Sequence, residues 1–117
     1  VLPKTFSILS GDDSLTLPFM AVGARGVISV AANLIPRQVT KMVHAHLKGD
    51  LKGSLKLHEK YYPLFRDLFI ETNPTPVKAA LAMMELVKEE YRLPLVKMEP
   101  SNRRQLRATL KSVGVLK

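Results

Sequence analysis

Two short β-branched runs joined by one helical segment constrain this chain more than anything else in it. Phe6-Ser7-Ile8-Leu9 is an apolar run stopped by Ser10-Gly11, and Val27-Ile28-Ser29-Val30 is a second. The first reads as a buried strand, and the second is apolar on both faces, as a strand is in a parallel sheet covered by helices. The connection of about 17 residues is long enough for a right-handed βαβ crossover. Inside it, Asp12-Asp13-Ser14 supplies helix-start residues, with acids suited to the positive helix end. Leu15, Phe19 and Val22 follow at helical spacing, Pro18 delays or kinks the helix, and Gly23 to Gly26 ends it. Two parallel strands do not make a sheet that stands alone, so this pattern demands further strands on at least one side. The chain therefore reads as the tail of something larger.

From Pro36 onward the periodicity is helical. Pro36 suits a first helical turn, and Val39, Met42, Val43 and Leu47 form the apolar face up to a break at Gly49-Asp50. The next helix is expected over about 50–70. One stripe of it carries Leu51, Leu55, Tyr62, Phe65 and Phe69, and another carries Leu57, Tyr61, Leu64 and Leu68. Two stripes predict burial on more than one side, and Pro63 predicts a bend. Asn73-Pro74-Thr75-Pro76 reads as a rigid turn in which Thr75 caps a helix buried through Val77, Ala80, Leu81, Met84 and Val87. Arg92-Leu93-Pro94-Leu95 reads as an extended linker. Ser101 is the expected cap of a last helix carrying Leu106, Leu110 and Val113, with Gly114 as its stop.

Composition bounds the functional classes. At 117 residues the chain is one domain at most, and its 46% apolar content is enough for a core. No run approaches the roughly 20 apolar residues of a membrane span. With no cysteine, a disulfide framework and a cysteine-based zinc site are excluded, which fits a cytoplasmic setting. Lys4 and Arg25 offset Asp12 and Asp13 in residues 1–35, so the whole net charge of +8 lies beyond them. Arg37, Lys41, His44 and Lys48 share one helix face. Lys52, Lys56 and Lys60 recur along the next, and Arg103, Arg104, Arg107 and Lys111 cluster on the last. Solvated helix faces account for such residues. The sharper reading is a phosphate-binding surface, whose hallmark is steep salt dependence. Few aromatics interleave with the charges and no nucleic-acid motif is present, so no nucleic-acid partner is expected.

Few side chains suggest chemistry. His44 and His46 are two apart and diverge on one helix, and His58 has no partner at metal-ligand spacing, so no metal is expected. Asp12-Asp13 reads as a capping pair more readily than as a catalytic one. Lys4 precedes the first strand and is expected to be solvent exposed. No Lys, Cys or Ser sits on a strand end beside a partner base, so no catalytic residue is assigned in this chain. Ligands of parallel α/β folds sit beyond the carboxyl ends of the strands. Gly11, directly after the first strand, admits close backbone approach. Ile28, near the end of the second, is expected to bury its side chain and turn its N–H or C=O toward a pocket.

The ordered set of motifs resembles the dihydrodipicolinate synthase family. Ser10-Gly11-Asp12-Asp13, Gly26-Val27-Ile28-Ser29-Val30 with Ala32-Asn33, and Asn73-Pro74-Thr75-Pro76-Val77-Lys78 carry the likeness. Arg92-Leu93-Pro94-Leu95 and the closing Leu110-Lys111 and Gly114 complete it. The resemblance implies an α/β fold: the last two βα units of a (β/α)8 TIM barrel in residues 1–48, then a C-terminal α-helical domain in residues 49–117. It implies a lyase that joins pyruvate, held as a lysine Schiff base, to L-aspartate 4-semialdehyde in lysine biosynthesis. No separate cofactor is implied. The parent is expected to be a cytoplasmic homo-oligomer, tetramer or dimer, with no membrane partner. Ile28 matches the pyruvate-contacting position and Gly11 the substrate-side loop. The Schiff-base lysine lies outside the matching residues, so the chain alone is expected to be inactive. A sibling pyruvate aldolase such as N-acetylneuraminate lyase is the neighbouring alternative. A basic helical nucleic-acid-binding module is the alternative of another class.

Overall fold

Helices dominate the computed structural model, which describes Pro3 and residues 5–117. The expectation for Lys4 lies outside the described residues. The elements are α1 (Thr16–Ala21), a 3-10 turn (Ala31–Asn33), α2 (Pro36–Leu47), α3 (Leu51–Asp67), α4 (Thr75–Met83) and α5 (Pro100–Ser112). The expected α/β sheet is not formed among the described residues. The two β-branched runs meet in a single parallel bridge, Ser10 to Val27. Its register is parallel: Ser10 N–H donates to Gly26 O at 2.9 Å, Ile28 N–H to Ser10 O at 2.9 Å, and Arg25 N–H to Ile8 O at 2.8 Å. The physical reason is the one the sequence implied. A lone parallel pair leaves its outer backbone groups unpaired and its faces uncovered. Phe6, Ile8, Leu9 and Ile28 accordingly stand exposed rather than buried.

The helix α1 also departs from expectation. Leu15, Phe19 and Val22 are exposed, and Leu17 and Met20 supply the buried face. The acids stand before the helix rather than in its first turn, because Asp12 is engaged in a tight turn. Its carboxylate accepts from Ser14 N–H at 2.7 Å, Ser14 Oγ at 2.6 Å and Leu15 N–H at 3.2 Å.

The remaining helices pack as a bundle in which α3 and α5 carry the core. Leu64, Leu68, Leu106 and Leu110 are fully buried, with Phe65 and Val113 beside them. Val39 and Met42 seat α2 against this core. Only one side of α3 is buried: Leu51, Leu55, Tyr62 and Phe69 are exposed, so the reading of two buried stripes is corrected. Asp50 caps α3 by accepting Gly53 N–H at 2.9 Å. The expected caps Thr75 and Ser101 do not cap. Pro74 and Glu99 occupy those positions, and Thr75 is buried in the first turn of α4. Glu71 substitutes at α5 by reaching across, its carboxylate accepting Glu99 N–H at 3.0 Å and Asn102 Nδ2 at 2.9 Å.

Four of the helices stop in one way. In α1, α2 and α5 the stop residue is Gly23, Gly49 or Gly114, each with positive φ. In α4 it is Glu85, at φ 61°. Paired bonds close each end; at α4 they are Leu86 N–H to Leu81 O and Glu85 N–H to Ala82 O, both 3.0 Å. This ends α4 before Val87, which is exposed rather than part of the expected buried face.

Candidate functional site

The carboxyl ends of the two extended segments are held together by one buried side chain. Asp13 is almost inaccessible. One carboxylate oxygen accepts the Ser29 hydroxyl, and the other accepts Val30 N–H and Ala31 N–H, each at 3.0 Å. Asp13 therefore does cap, as its residue type suggests, but the turn it caps is the 3-10 turn of the second unit and not the helix that follows it in sequence. Ser29 Oγ in turn accepts Ala32 N–H at 2.8 Å. On the first unit, Ser10 Oγ donates to Asp12 O at 2.7 Å and accepts Asp12 N–H at 3.1 Å. A carboxylate facing orphan N–H groups at a helix start is favourable in both charge and hydrogen bonding. The network is a clamp: it fixes the two loops relative to one another through neutral donors on Ser29, Val30 and Ala31.

Gly11 and Ile28 each lie one residue beyond a partner of the Ser10–Val27 bridge, so the clamp presents them at the same end. Gly11 is exposed, and a Cβ there would meet nothing within 4 Å. Close backbone approach by a ligand is thus open, though no steric need for glycine exists within the described residues. Ile28 is 70% exposed, so the expectation of a buried side chain is corrected. Its N–H is consumed by Ser10 O. Its carbonyl accepts no hydrogen bond among the described residues, so of the two backbone groups of Ile28 the oxygen is the one free to meet a ligand.

The network's other half, Ser29, carried no sequence assignment. Its signal was a polar residue interrupting a β-branched run directly before Ala31-Ala32-Asn33. The Asp12-Asp13 pair is not a catalytic dyad, because the two carboxylates serve different turns. No lysine occurs between residues 5 and 40, so neither extended segment among the described residues carries one. Among the described residues no group of His, Asp and Glu side chains is placed to hold a metal ion. His58 lies apart on α3 against Tyr62 and Phe65, and burial holds its imidazole below its ordinary value despite Glu59. No helix among the described residues is long and apolar enough to cross a membrane.

A second polar cluster ties the far end of the molecule. Glu89 accepts Arg103 Nη2 at 2.6 Å and Tyr91 Oη at 3.2 Å. Burial, with Glu89 beside it, pushes the Tyr91 phenol up to about 12. The cluster pins the Arg92–Leu95 linker over α4 and α5. Its aromatic ring also carries Lys78 Nζ at 5.4 Å from the centroid.

Comparison with known proteins covers nearly the whole chain. The sequence profile of the dihydrodipicolinate synthetase family matches residues 1–113. The 4-hydroxy-tetrahydrodipicolinate synthase of Aquifex aeolicus is 53% identical over 114 residues, which is 97% of this chain and 39% of that protein. The crystal structure of dihydrodipicolinate synthase from the same organism superposes with a TM-score of 0.95 at 51% identity, covering 97% of this chain and 39% of that one. The 4-hydroxy-tetrahydrodipicolinate synthase structure from Methylacidiphilum fumariolicum SolV gives a TM-score of 0.95 at 56% identity, covering 96% and 37%. The chain thus spans about two fifths of the length of the relatives it matches.

Proposed function

The chain belongs to the dihydrodipicolinate synthetase family, and from that premise we propose that it supplies the closing part of a 4-hydroxy-tetrahydrodipicolinate synthase. Residues 1–48 then form the last two βα units of a (β/α)8 barrel and residues 49–117 its helical domain. The whole enzyme condenses pyruvate with L-aspartate 4-semialdehyde in lysine biosynthesis, as a cytoplasmic homo-oligomer. A barrel lysine from the part outside these residues attacks the pyruvate ketone and loses water to give the imine. A desolvated lysine is nucleophilic near neutral pH because burial lowers its pKa.

The role of this chain is positional. The Ile28 carbonyl faces pyruvate, and Gly11 lets the second substrate approach the backbone. The Asp13 clamp holds both in register. The observation that carries the reading is the placement of Gly11 and of the Ile28 carbonyl, unpartnered among the described residues, at one end of a parallel pair whose segments carry no lysine in residues 5–40. The exposed Phe6, Ile8, Leu9 and Ile28 are what neighbouring barrel strands would cover.

The test is reductive trapping. Borohydride added to this chain with pyruvate is expected to leave its intact mass unchanged. The same treatment after co-expression with the preceding portion of the Aquifex aeolicus relative is expected to label that portion only. A reduced pyruvyl adduct on any lysine of this chain would overturn the assignment.

A further inference from the structure

The lysines of α2 and α3 do not merely decorate two solvated faces. Lys41 of α2 and Lys56 and Lys60 of α3 converge on one groove of about 390 Å³ whose other lining residues are Asp50, Gly53 and Leu57. Lys56 and Lys60 are one turn apart on the same helix, and Lys41 approaches from the other side. None of the three has a carboxylate within 4.0 Å among the described residues, where the ion pairs are Arg66–Asp67 and Arg103–Glu89. The one acid in the lining, Asp50, offsets part of the charge of the three lysines and leaves the lining net positive. An Asp50 oxygen accepts Gly53 N–H at 2.9 Å, and the carboxylate lies where a Cβ on residue 53 would be, 2.2 Å from Oδ2. Glycine at 53 therefore lets Asp50 fold onto the helix start. α2 carries no acid, and Glu59 of α3, next to Lys60, is outside the lining and makes no ion pair with Lys56 or Lys60 among the described residues. Lys60 Nζ sits 5.2 Å from the Tyr61 ring centroid, a contact that leaves its charge unneutralised.

Three ammonium groups around one recess, against a single carboxylate, repel each other, and a multivalent anion relieves that repulsion while gaining charge-assisted hydrogen bonds. We propose that the α2–α3 groove binds a short phosphate chain, each lysine meeting its own phosphate group. The volume falls at the lower end of small-ligand sites, which run from about 300 Å³. A peptide would need apolar lining, and Leu57 alone provides it. A nucleic acid would need stacking platforms, and the nearest aromatic, Tyr61, is buried. The groove is lined by residues 41–60 and uses neither Gly11 nor Ile28, so its test does not depend on the imine test.

Calorimetric titration of the 117-residue chain with sodium tripolyphosphate tests this. Binding is expected at ~50 mM salt and is expected to weaken by ~10-fold or more at ~200 mM. The melting temperature should rise with the anion, since only the folded chain carries the groove. The double variant K56Q/K60Q should lose ~10-fold or more in affinity, because two charge-assisted contacts vanish. The charge-matched control R104Q/R107Q, on exposed α5 positions, should lose less than ~3-fold, since it alters only the distant field. Absence of binding at low salt, or equal losses in the two double variants, overturns the proposal. Tighter binding of polyglutamate or of single-stranded RNA than of tripolyphosphate overturns it as well.

Discussion

The paired extended segments and the helical bundle share one chain but solve the burial problem differently. In the bundle, α3 and α5 meet through Leu64, Leu68, Leu106 and Leu110, all at 0% exposure. In the extended half, Phe6 is 58% exposed and Ile28 70%. The two halves are not distinguished by hydrophobicity, since both present branched apolar runs. They differ in where the backbone finds its partners. A helix satisfies its interior N–H and C=O groups within itself, so one apolar stripe packed on a neighbour completes it. A parallel strand depends on strands on both sides, and each of the two segments has at most one. The helical half therefore satisfies its backbone by itself, even where Leu51, Leu55 and Leu86 stay exposed, whereas the extended half leaves backbone groups as well as side chains uncovered among the described residues.

The largest expected effect tests that contrast directly. Leu110→Ala should lower the unfolding free energy by roughly 2–5 kcal/mol, from lost burial plus the cavity left behind. Ile28→Ala in the same chain should shift it by no more than ~0.5 kcal/mol, as for an exposed position. Urea denaturation of the two variants reads both. A loss at Ile28 comparable with that at Leu110 would mean the extended segments are packed in solution, and the contrast would fail.

What the sequence discloses follows the same division. The positions of α2 and α3, the Pro36 start, the Gly49 and Gly114 stops and the buried Leu106 and Leu110 are local facts, and local patterns carry them. The runs at Phe6–Leu9 and Val27–Val30 are also visible as patterns, but a sheet needs neighbouring strands, and among the described residues the two runs share a single bridge. The caps misled for a related reason. Thr75 and Ser101 have the right residue type, yet tertiary contacts assign those roles elsewhere, to Pro74 and to Glu71 reaching from a distant turn. Exposed Leu51 and Leu55 show the converse error: an apolar stripe does not declare whether anything covers it. At the site, Asp13 is legible as a cap, whereas its true partner Ser29 becomes visible only once the two units are brought side by side.

Each half also holds one buried carboxylate, and the pair sharpens the comparison at an intermediate scale. Asp13 joins the two extended units through neutral donors alone. Asp67 joins α3 to α5, accepting Thr109 Oγ1 at 2.6 Å, Arg66 Nε at 2.7 Å and Gln105 Nε2 at 3.2 Å. Asp13→Ala should cost about 2–3 kcal/mol, since buried N–H groups of Val30 and Ala31 lose their acceptor. Asp67→Asn should cost about 1–2 kcal/mol, because the amide keeps one acceptor oxygen. Burial alone would raise the Asp67 pKa, but the hydrogen bonds from Arg66, Thr109 and Gln105 outweigh it and hold the carboxyl below its ordinary value. The unfolded carboxyl titrates near about 4. With the folded value depressed, the contribution of Asp67 is present above about pH 4 and is lost as pH falls through the folded value. Glu89, held down by Arg103, adds in the same direction. Urea midpoints measured down through that window should fall for the parent chain and fall less steeply for Asp67→Asn. Parallel curves would remove Asp67 from the acid response.

The smallest effect concerns the helix stops, where the two halves are alike except at one residue. Gly23, Gly49 and Gly114 adopt positive φ freely, whereas Glu85 does so at φ 61° with a Cβ attached. An L-residue in the left-handed region costs roughly 1–2 kcal/mol, and an acid there also faces the negative end of α4. Glu85→Gly removes both penalties, although the added freedom of glycine in the unfolded chain offsets part of the gain. The net expectation is a stabilisation of about 0.5–1 kcal/mol. Gly114→Ala supplies the mirror experiment. A Cβ there meets nothing within 4 Å, so only the backbone at φ 80° resists it, and a loss of about 1 kcal/mol is expected. Thermal melts of the two variants should therefore move in opposite directions. Destabilisation by Glu85→Gly would mean that the glutamate side chain holds α4 in place and that the stop at residue 85 is not a strained copy of the glycine stops.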